Sequence, residues 1–181
     1  MTKAKKLLSL LLTVAIAVTL FPVFDGVTAY AAAPVLSLPG ADANGVYTIT
    51  TSGQYDISAV GSGLPSAFNL GININCDKVI LTGSPSSHLT VTVTGNYTLI
   101  LKSVSFTSNS GNAIQMSGSG KIMLVGSNSL ITTAPGMAAI YVPASASLTI
   151  QCPGSLSAKG GTGGGATGNG TSGYSGGTGT V

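Results

Sequence analysis

Few side chains of this protein could carry acid–base or metal chemistry. The sequence contains no Arg and no Glu, and beyond residue 31 its acidic residues are Asp42, Asp56 and Asp77, with His88 as the one histidine. A glycosidase needs two carboxyl groups that flank the scissile bond, and a polysaccharide lyase uses clustered acids for calcium and a basic residue, commonly Arg. The aspartates are scattered, and His88, in a predicted turn, has no triad or metal-ligand set around it. The sequence therefore predicts no catalytic residue and no metal site.

The polar and aromatic side chains that remain suit the binding of sugars. Tyr141 lies between two apolar residues in segment 140–142, and 26 positions earlier Gln115 occupies the same place in segment 114–116. If the apolar residues face inward, Tyr141 and Gln115 face outward on neighbouring strands, about 5 Å apart. A phenol ring stacks on a pyranose face while an amide bonds the sugar hydroxyls. Both residues are therefore predicted to bind carbohydrate; the plainer alternative is that Tyr141 only covers sheet surface.

Two lysines extend this hypothesis to acidic sugars. Lys102 and Lys121 alternate with apolar neighbours, so they too are predicted to face outward. Their ammonium groups could pair with uronate carboxylates, which makes an acidic polysaccharide one candidate ligand. The alternative is that both lysines keep the protein soluble and protect sheet edges.

The strands that would position these side chains are predicted by a repeat of short apolar pairs. Each pair has one residue between its members, as in a short strand with two side chains facing inward. The series that return after 26 residues are Ile114/Met116 with Ile140/Val142, Ile122/Leu124 with Leu148/Ile150, and Val104 with Leu130 and Leu156. Three strands per 26 residues, separated by Gly, Ser, Asn or Pro, are typical of a β-helix coil. Because parallel crossovers are right-handed by default, the predicted fold is all-β, a single right-handed parallel β-helix.

Residues 1–31 have the features of a signal peptide. Three lysines within the first six residues precede the apolar run 7–24, and Ala-Tyr-Ala at 29–31 is a small-x-small cleavage site. Cleavage there would give a secreted protein without a membrane segment. The alternative is that the run, which is long enough to span a bilayer, stays as an anchor. In both cases the rest of the chain is predicted to lie outside the cytoplasm.

Beyond the signal peptide, three segments are predicted. Residues 32–45 form a linker, and residues 46–159 form the β-helix with its N-terminal capping strands. Within it, the alternation in 46–58 predicts two strands joined by a tight turn at Ser52 and Gly53. Residues 160–181 contain 11 glycines, which is typical of a flexible tail or of a Gly-rich turn that leads to further coils.

The composition restricts the partners and the state of the two cysteines. Charged residues make up 6% of the chain, against about a quarter in a typical domain, and without Arg or a basic patch no nucleic-acid partner is predicted. Cys76 and Cys152 belong to a chain predicted to be exported, where a disulfide is the usual expectation. If both lie on one side of the β-helix, three coils of about 4.8 Å separate them, which is too far for a bond. They are predicted to be unbonded, buried thiols.

Three segments of the chain resemble secreted bacterial β-helical surface proteins. The segments YTITTSGQYDIS, AAIYVPASASLTIQCPGSLSAKGG and GGTGGGATGNG are similar to parts of carbohydrate-binding-domain proteins, whose shape is like that of pectate lyases. The resemblance covers residues 46 to about 170 and depends on composition. It implies a β-helix that binds acidic plant or cell-surface polysaccharide without cleaving it, sometimes with calcium as a cofactor. This chain is shorter and poorer in acids, which argues against calcium.

Taken together, the residues and the resemblance favour a non-catalytic, extracellular polysaccharide-binding module of a secreted or cell-surface protein. One alternative is a structural or adhesive spacer, in which the stiff solenoid has no ligand of its own. A third hypothesis is a fragment of a polysaccharide lyase or hydrolase. The sequence names neither the glycan nor the oligomeric state.

Overall fold

The computed structural model describes residues 34–65 and 68–163, and the backbone of residues 179–180. The predicted signal peptide and most of the predicted Gly-rich tail lie outside these residues. Within them the chain is all-β, without a helix. Its strands are β1 Val35–Leu36, β2 Val46–Ile49, β3 Gly53–Asp56, β4 Asn69–Ile74, β5 Lys78–Gly83, β6 His88–Val93, β7 Thr98–Ser108, β8 Ile114–Met116, β9 Gly120–Val125, β10 Ser127–Thr132, β11 Ile140–Tyr141, β12 Leu148–Gln151, β13 Ser155–Lys159 and β14 Gly179–Thr180.

Parallel pairing stacks these strands into a β-solenoid with three sheets. Sheet 1 has the order β1-β3-β5-β7-β9-β12, sheet 2 the order β2-β4-β6-β8-β11, and sheet 3 the order β7-β10-β13-β14. All neighbours are parallel except β13 and β14, which are antiparallel. The solenoid has about five coils that are about 24 residues apart. The predicted parallel β-helix is confirmed, and its right-handed sense stays a prediction.

Sheets 1 and 3 share strand β7, which turns a corner of the solenoid. Ser103 in β7 has a φ of 53°, in the left-handed region that few residues other than glycine occupy. The residues before it and Val104 pair within sheet 1, and those from Ser105 onward pair within sheet 3. One long strand therefore serves two faces of the same coil.

Alternating side chains form the core inside the stacked coils. In sheet 2, Ile72, Val91 and Ile114 lie on consecutive strands in one inward row, and each is fully buried. Equivalent rows of sheet 1 contain Leu81 and Leu101, also fully buried. Because every second residue of a strand faces inward, the residues between them face away from this core; in sheet 2 most of these are polar, whereas in sheet 1 they include Ile80 and Ile100. The outer surfaces of the sheets are therefore the places to look for a binding site.

The predicted spacing of the repeat is correct for sheet 2 and wrong elsewhere in the last coil. Ile140 pairs with Ile114, as predicted. In sheet 1, however, Ile150 pairs with Ile122, whereas the repeat predicted Leu124 as its partner. In sheet 3 the predicted pairing of Leu130 with Leu156 and Val104 is also wrong, because Leu130 pairs with Phe106 and Ala158.

A longer turn explains the shifted register of the last coil. Residues 142–147 connect β11 to β12, whereas only residues 117–119 connect β8 to β9 one coil earlier. The coil that leads from β4 to β6 is shorter than both of these later coils, since Leu70 in β4 already pairs with Leu89 in β6. The coil length is therefore set by the turns and is not constant.

The first coil also differs from the prediction of two strands joined by a tight turn. β2 and β3 do not pair with each other, since β2 pairs with β4 in sheet 2 and β3 with β5 in sheet 1. The turn at Ser52 is a corner of the solenoid. β1, within the segment predicted as a linker, pairs in parallel with β3.

The two cysteines are unbonded, as predicted, but their positions differ from those assumed. Cys76 is half-buried between β4 of sheet 2 and β5 of sheet 1, whereas Cys152 is exposed between β12 of sheet 1 and β13 of sheet 3. They are thus on different sides of the solenoid, and only Cys76 is partly enclosed. Burial raises the pKa of the Cys76 thiol.

Candidate functional site

The outer surface of sheet 2 carries an ordered row of polar side chains, one from each strand. Its members, which are partners in the parallel register of adjacent strands, are Thr48, Asn73, Thr92, Gln115 and Tyr141. Parallel strands are about 4.8 Å apart, so the row has one hydrogen-bonding side chain at each such interval. Gln115 and Tyr141 are therefore rung neighbours that face outward, as predicted, and Tyr141 is 44% exposed.

A second outward row of sheet 2, beside the first, has smaller side chains. Val46, Gly71 and Thr90 are register partners in β2, β4 and β6. Gly71 has no side chain, so this row lies lower there than the neighbouring row, and Val46, Gly71 and Thr90 line a depression along the sheet.

This depression is a groove of about 630 Å³. Its walls and floor are formed by Asn44, Val46, Asn69, Leu70, Gly71, Thr90, Ser110, Gly111, Asn112, Gln115, Met137 and Tyr141. The lining begins with Asn44 in the first coil and ends with Tyr141 in the fifth, and every coil between contributes a residue. The groove therefore runs across the strands, along the axis of the solenoid. We call it the sheet 2 groove.

Hydrogen bonds fix several of the side chains that line the sheet 2 groove. The Asn112 Oδ1 accepts a hydrogen bond from the Ala138 N–H of the next coil at 2.9 Å, and this leaves the Asn112 amide N–H groups as donors. The Thr90 and Ser108 hydroxyls are 3.0 Å apart and share a hydrogen bond. The lining is thus built partly from side chains that are held in place before any ligand arrives.

The sheet 2 groove is electrically neutral. None of the lining residues in the described part of the chain is acidic, basic or a histidine. Asp42 lies behind one end, where its Oδ1 accepts hydrogen bonds from the N–H groups of Asn44 and Val46, both at 2.9 Å. Both bonds lower the pKa of the Asp42 carboxyl, and the bond from the Val46 N–H has the larger effect. His88 was predicted to lie in a turn, and this is wrong. It begins β6 and pairs with Asn69.

The two predicted lysines lie on a different surface. Lys102 is in β7 and Lys121 in β9, both in sheet 1, and both are half-buried. Lys121 is the register partner of Thr98. Thr98 is four residues from Lys102 along β7, a separation of about 13 Å at the rise of a strand. The four predicted residues therefore form no single site, because Gln115 and Tyr141 are on sheet 2.

The acidic residues of the described chain also lie outside the sheet 2 groove. Asp56 is in β3 of sheet 1, where it lines a separate cavity of about 410 Å³ at the N-terminal end of the solenoid. A backbone hydrogen bond from Ser58 lowers the pKa of its carboxyl. No group of three or more His, Cys, Asp or Glu side chains suited to a metal occurs among the described residues. Within the same residues, no helix could cross a membrane.

The sequence did not predict the asparagines of the sheet 2 groove. Asn44 and Asn69 are in the turn before β2 and at the start of β4, and such positions were interpreted as turn signals. The two asparagines are as far apart in the sequence as Val46 and Gly71, which are partners in the register of β2 with β4. That signal could have been found if the repeat had been extended to the first coils, whose lengths differ from those of the later ones.

Comparisons with known proteins add no relative to this geometry. No protein-family model matches the chain, and neither a curated protein nor a solved structure shows significant similarity to it. The resemblance to carbohydrate-binding-domain proteins therefore stays a prediction, and the functional argument depends on the sheet 2 groove.

Proposed function

We propose that this protein is a non-catalytic, extracellular polysaccharide-binding module, and that the sheet 2 groove holds the glycan. The observation that carries this proposal is the groove itself. It is long, it crosses every coil, and an exposed tyrosine with a neighbouring glutamine lies at its C-terminal end. Elongated grooves lined by a few oriented polar groups and an aromatic ring suit chain-like sugars.

The types of side chain in the groove support sugar binding. Amides and hydroxyls both donate and accept hydrogen bonds, as sugar hydroxyls do. The flat phenol ring of Tyr141, 44% exposed, offers a face on which a pyranose can stack. The strands beneath these side chains are stacked in register, so the groove needs little rearrangement to accept a ligand.

Binding without cleavage is supported by the position of the carboxyl groups. Glycoside hydrolysis uses two carboxyls on either side of the bond, and no described lining residue of the sheet 2 groove is Asp or Glu. Asp56 lies on sheet 1, and Asp42 accepts two backbone hydrogen bonds in its own turn. An extracellular location is supported by the signal-like sequence of residues 1–31.

The test is retention of the protein on a panel of insoluble and soluble polysaccharides, measured by pull-down and by affinity electrophoresis. Tyr141→Ala should lower affinity several-fold, because a stacking contact of this kind contributes about 1 kcal/mol. Gln115→Ala should weaken binding to the same glycans. Gln151→Ala is the matched control, since Gln151 is an exposed glutamine of the last coil in sheet 1, and it should bind as the wild type does.

Two outcomes would count against this proposal in different ways. If the wild type is retained by no polysaccharide, the binding function is wrong and the spacer hypothesis is favoured. If the wild type is retained but Gln115→Ala and Tyr141→Ala bind equally well, the protein binds glycans through another surface than the sheet 2 groove.

A further inference from the structure

The direction of the sheet 2 groove restricts how a chain-like ligand lies in it. Lining residues come from each strand of sheet 2 or from the turn before it, from Asn44 in the first coil to Tyr141 in the fifth. A ligand that contacts both ends must cross the strands and follow the solenoid axis. It then meets each coil once.

The spacing of the coils sets a repeat for that ligand. Adjacent parallel strands are about 4.8 Å apart, and each of the five coils supplies a polar or aromatic lining residue, namely Asn44, Asn69, Thr90, Gln115 and Tyr141. An extended β-linked hexose chain advances by nearly the same distance for each sugar. Each coil can therefore contact one successive sugar without bending the glycan.

The charge of the groove selects between neutral and acidic glycans. A uronate carboxylate only accepts hydrogen bonds and is stabilised by cationic donors. The described lining residues supply none, and the Asp42 carboxylate behind Asn44 adds a like charge at one end. Lys102 and Lys121 are on sheet 1. Hydroxyls of an uncharged sugar, in contrast, match the amides and hydroxyls of the groove.

We propose that the ligand of the sheet 2 groove is an uncharged, extended β-linked polysaccharide that lies along the solenoid axis with one sugar over each coil. This inference rests on the proposed function and specifies its ligand class. It differs from the expectation of an acidic ligand that the lysines and the family resemblance suggested.

The test compares oligosaccharides of increasing length by isothermal titration calorimetry. Cello-, manno- and xylo-oligosaccharides of two to seven sugars serve as neutral probes, and oligomannuronates of the same lengths, which are also β-linked, as acidic ones. For a neutral series, affinity should increase with length until the five coils are covered and then stop increasing. Oligomannuronates should bind about tenfold more weakly or not at all, and added salt should change neutral binding little.

Variants in different coils test the axial position. Asn69→Ala in the second coil and Gln115→Ala in the fourth should both weaken binding of a pentasaccharide, whereas Gln151→Ala should not. A disaccharide, which covers two coils, should be sensitive to no more than one of the two groove variants.

The results separate this inference from the proposed function. Tighter binding of oligomannuronates, weakened by salt and by Lys102→Ala with Lys121→Ala, would overturn the neutral ligand and leave a polysaccharide-binding protein that uses sheet 1. A neutral series whose affinity does not increase beyond two sugars would overturn the axial position. Absence of binding to every oligosaccharide and polysaccharide would overturn both the inference and the function.

Discussion

Replacing Asn128 by alanine should destabilise the solenoid although no part of the binding groove is touched. Asn128 begins the buried part of β10 and is 4% exposed. Its Oδ1 accepts a hydrogen bond from the Val104 N–H of the preceding coil at 3.0 Å. Its Nδ2 donates to the carbonyl of Ser155 in the following coil at 3.2 Å and to that of Gly126 at 3.3 Å. One side chain thus connects three consecutive coils.

The size of the effect can be worked out from these contacts. Loss of the acceptor leaves the buried Val104 N–H without a partner, which costs about 1–3 kcal/mol. The amide N–H groups make two further bonds of about 1 kcal/mol each, partly replaced by water after the substitution. We expect a total of about 2–4 kcal/mol, which lowers the melting temperature of a chain of this size by about 5–15 °C.

The assay is thermal and urea unfolding followed by far-UV circular dichroism. Asn96→Ala, at an exposed asparagine, is the control and should change stability by less than about 0.5 kcal/mol. Asn128→Asp keeps an acceptor for the Val104 N–H but directs a carboxylate at backbone carbonyls, which raises its pKa in the folded state. Its stability should therefore be greatest below the unfolded pKa of about 3.9 and decrease as the pH rises. If Asn128→Ala is as stable as Asn96→Ala, the argument that this amide connects the coils is refuted.

Truncations along one row, thiol reactivity and acid stability give three more tests. Ile114 is fully buried, so Ile114→Ala should lower the free energy of unfolding in urea by about 2–5 kcal/mol. Ile140 is half-buried in the fifth coil, so Ile140→Ala should lower it by roughly half as much. Equal losses would contradict the order of coils. Cys152 is exposed and should be alkylated at pH 8 before half-buried Cys76, because burial raises the pKa of the Cys76 thiol. Peptide mass spectrometry measures the order of modification. Modification of Cys76 first, or a disulfide between the two cysteines, would contradict the structure. The pKa of the Asp56 carboxyl is lowered by a backbone hydrogen bond, so its stabilisation is present above about pH 4 and is lost as the pH falls through the folded pKa. Melting temperatures of Asp56→Asn should therefore fall less steeply below pH 4 than those of the wild type, and parallel curves would disprove this.

The fold could be predicted because the inward rows of a β-helix appear directly in the sequence. The spacing of Ile114 and Ile140 identified neighbours in sheet 2. In sheets 1 and 3 the same spacing gave a register that is wrong by two residues, as for Ile150, which pairs with Ile122. A shift of two residues leaves every side chain on the same face, so the alternation of apolar residues could not reveal it. In the last coil, only the length of the turn that precedes β12 reveals the shift.

The candidate site could be predicted in part for a related reason. The outward positions of Gln115 and Tyr141 follow from alternation within one sheet, and the structure places them side by side. Alternation does not say which sheet an outward residue belongs to, so Lys102 and Lys121 were assigned to the same function although they are on sheet 1. The groove also depends on a low row that includes Gly71, and this requires the register of the irregular early coils.

The most direct test of the account is a map of backbone amide chemical shifts during titration with a neutral pentasaccharide. The account predicts changes along the sheet 2 groove in all five coils, from the turn at Asn44 to Tyr141, and no changes on sheet 1 around Lys102 and Lys121. Changes confined to sheet 1, or to a single coil of sheet 2, would contradict a glycan that lies along the solenoid axis in this groove.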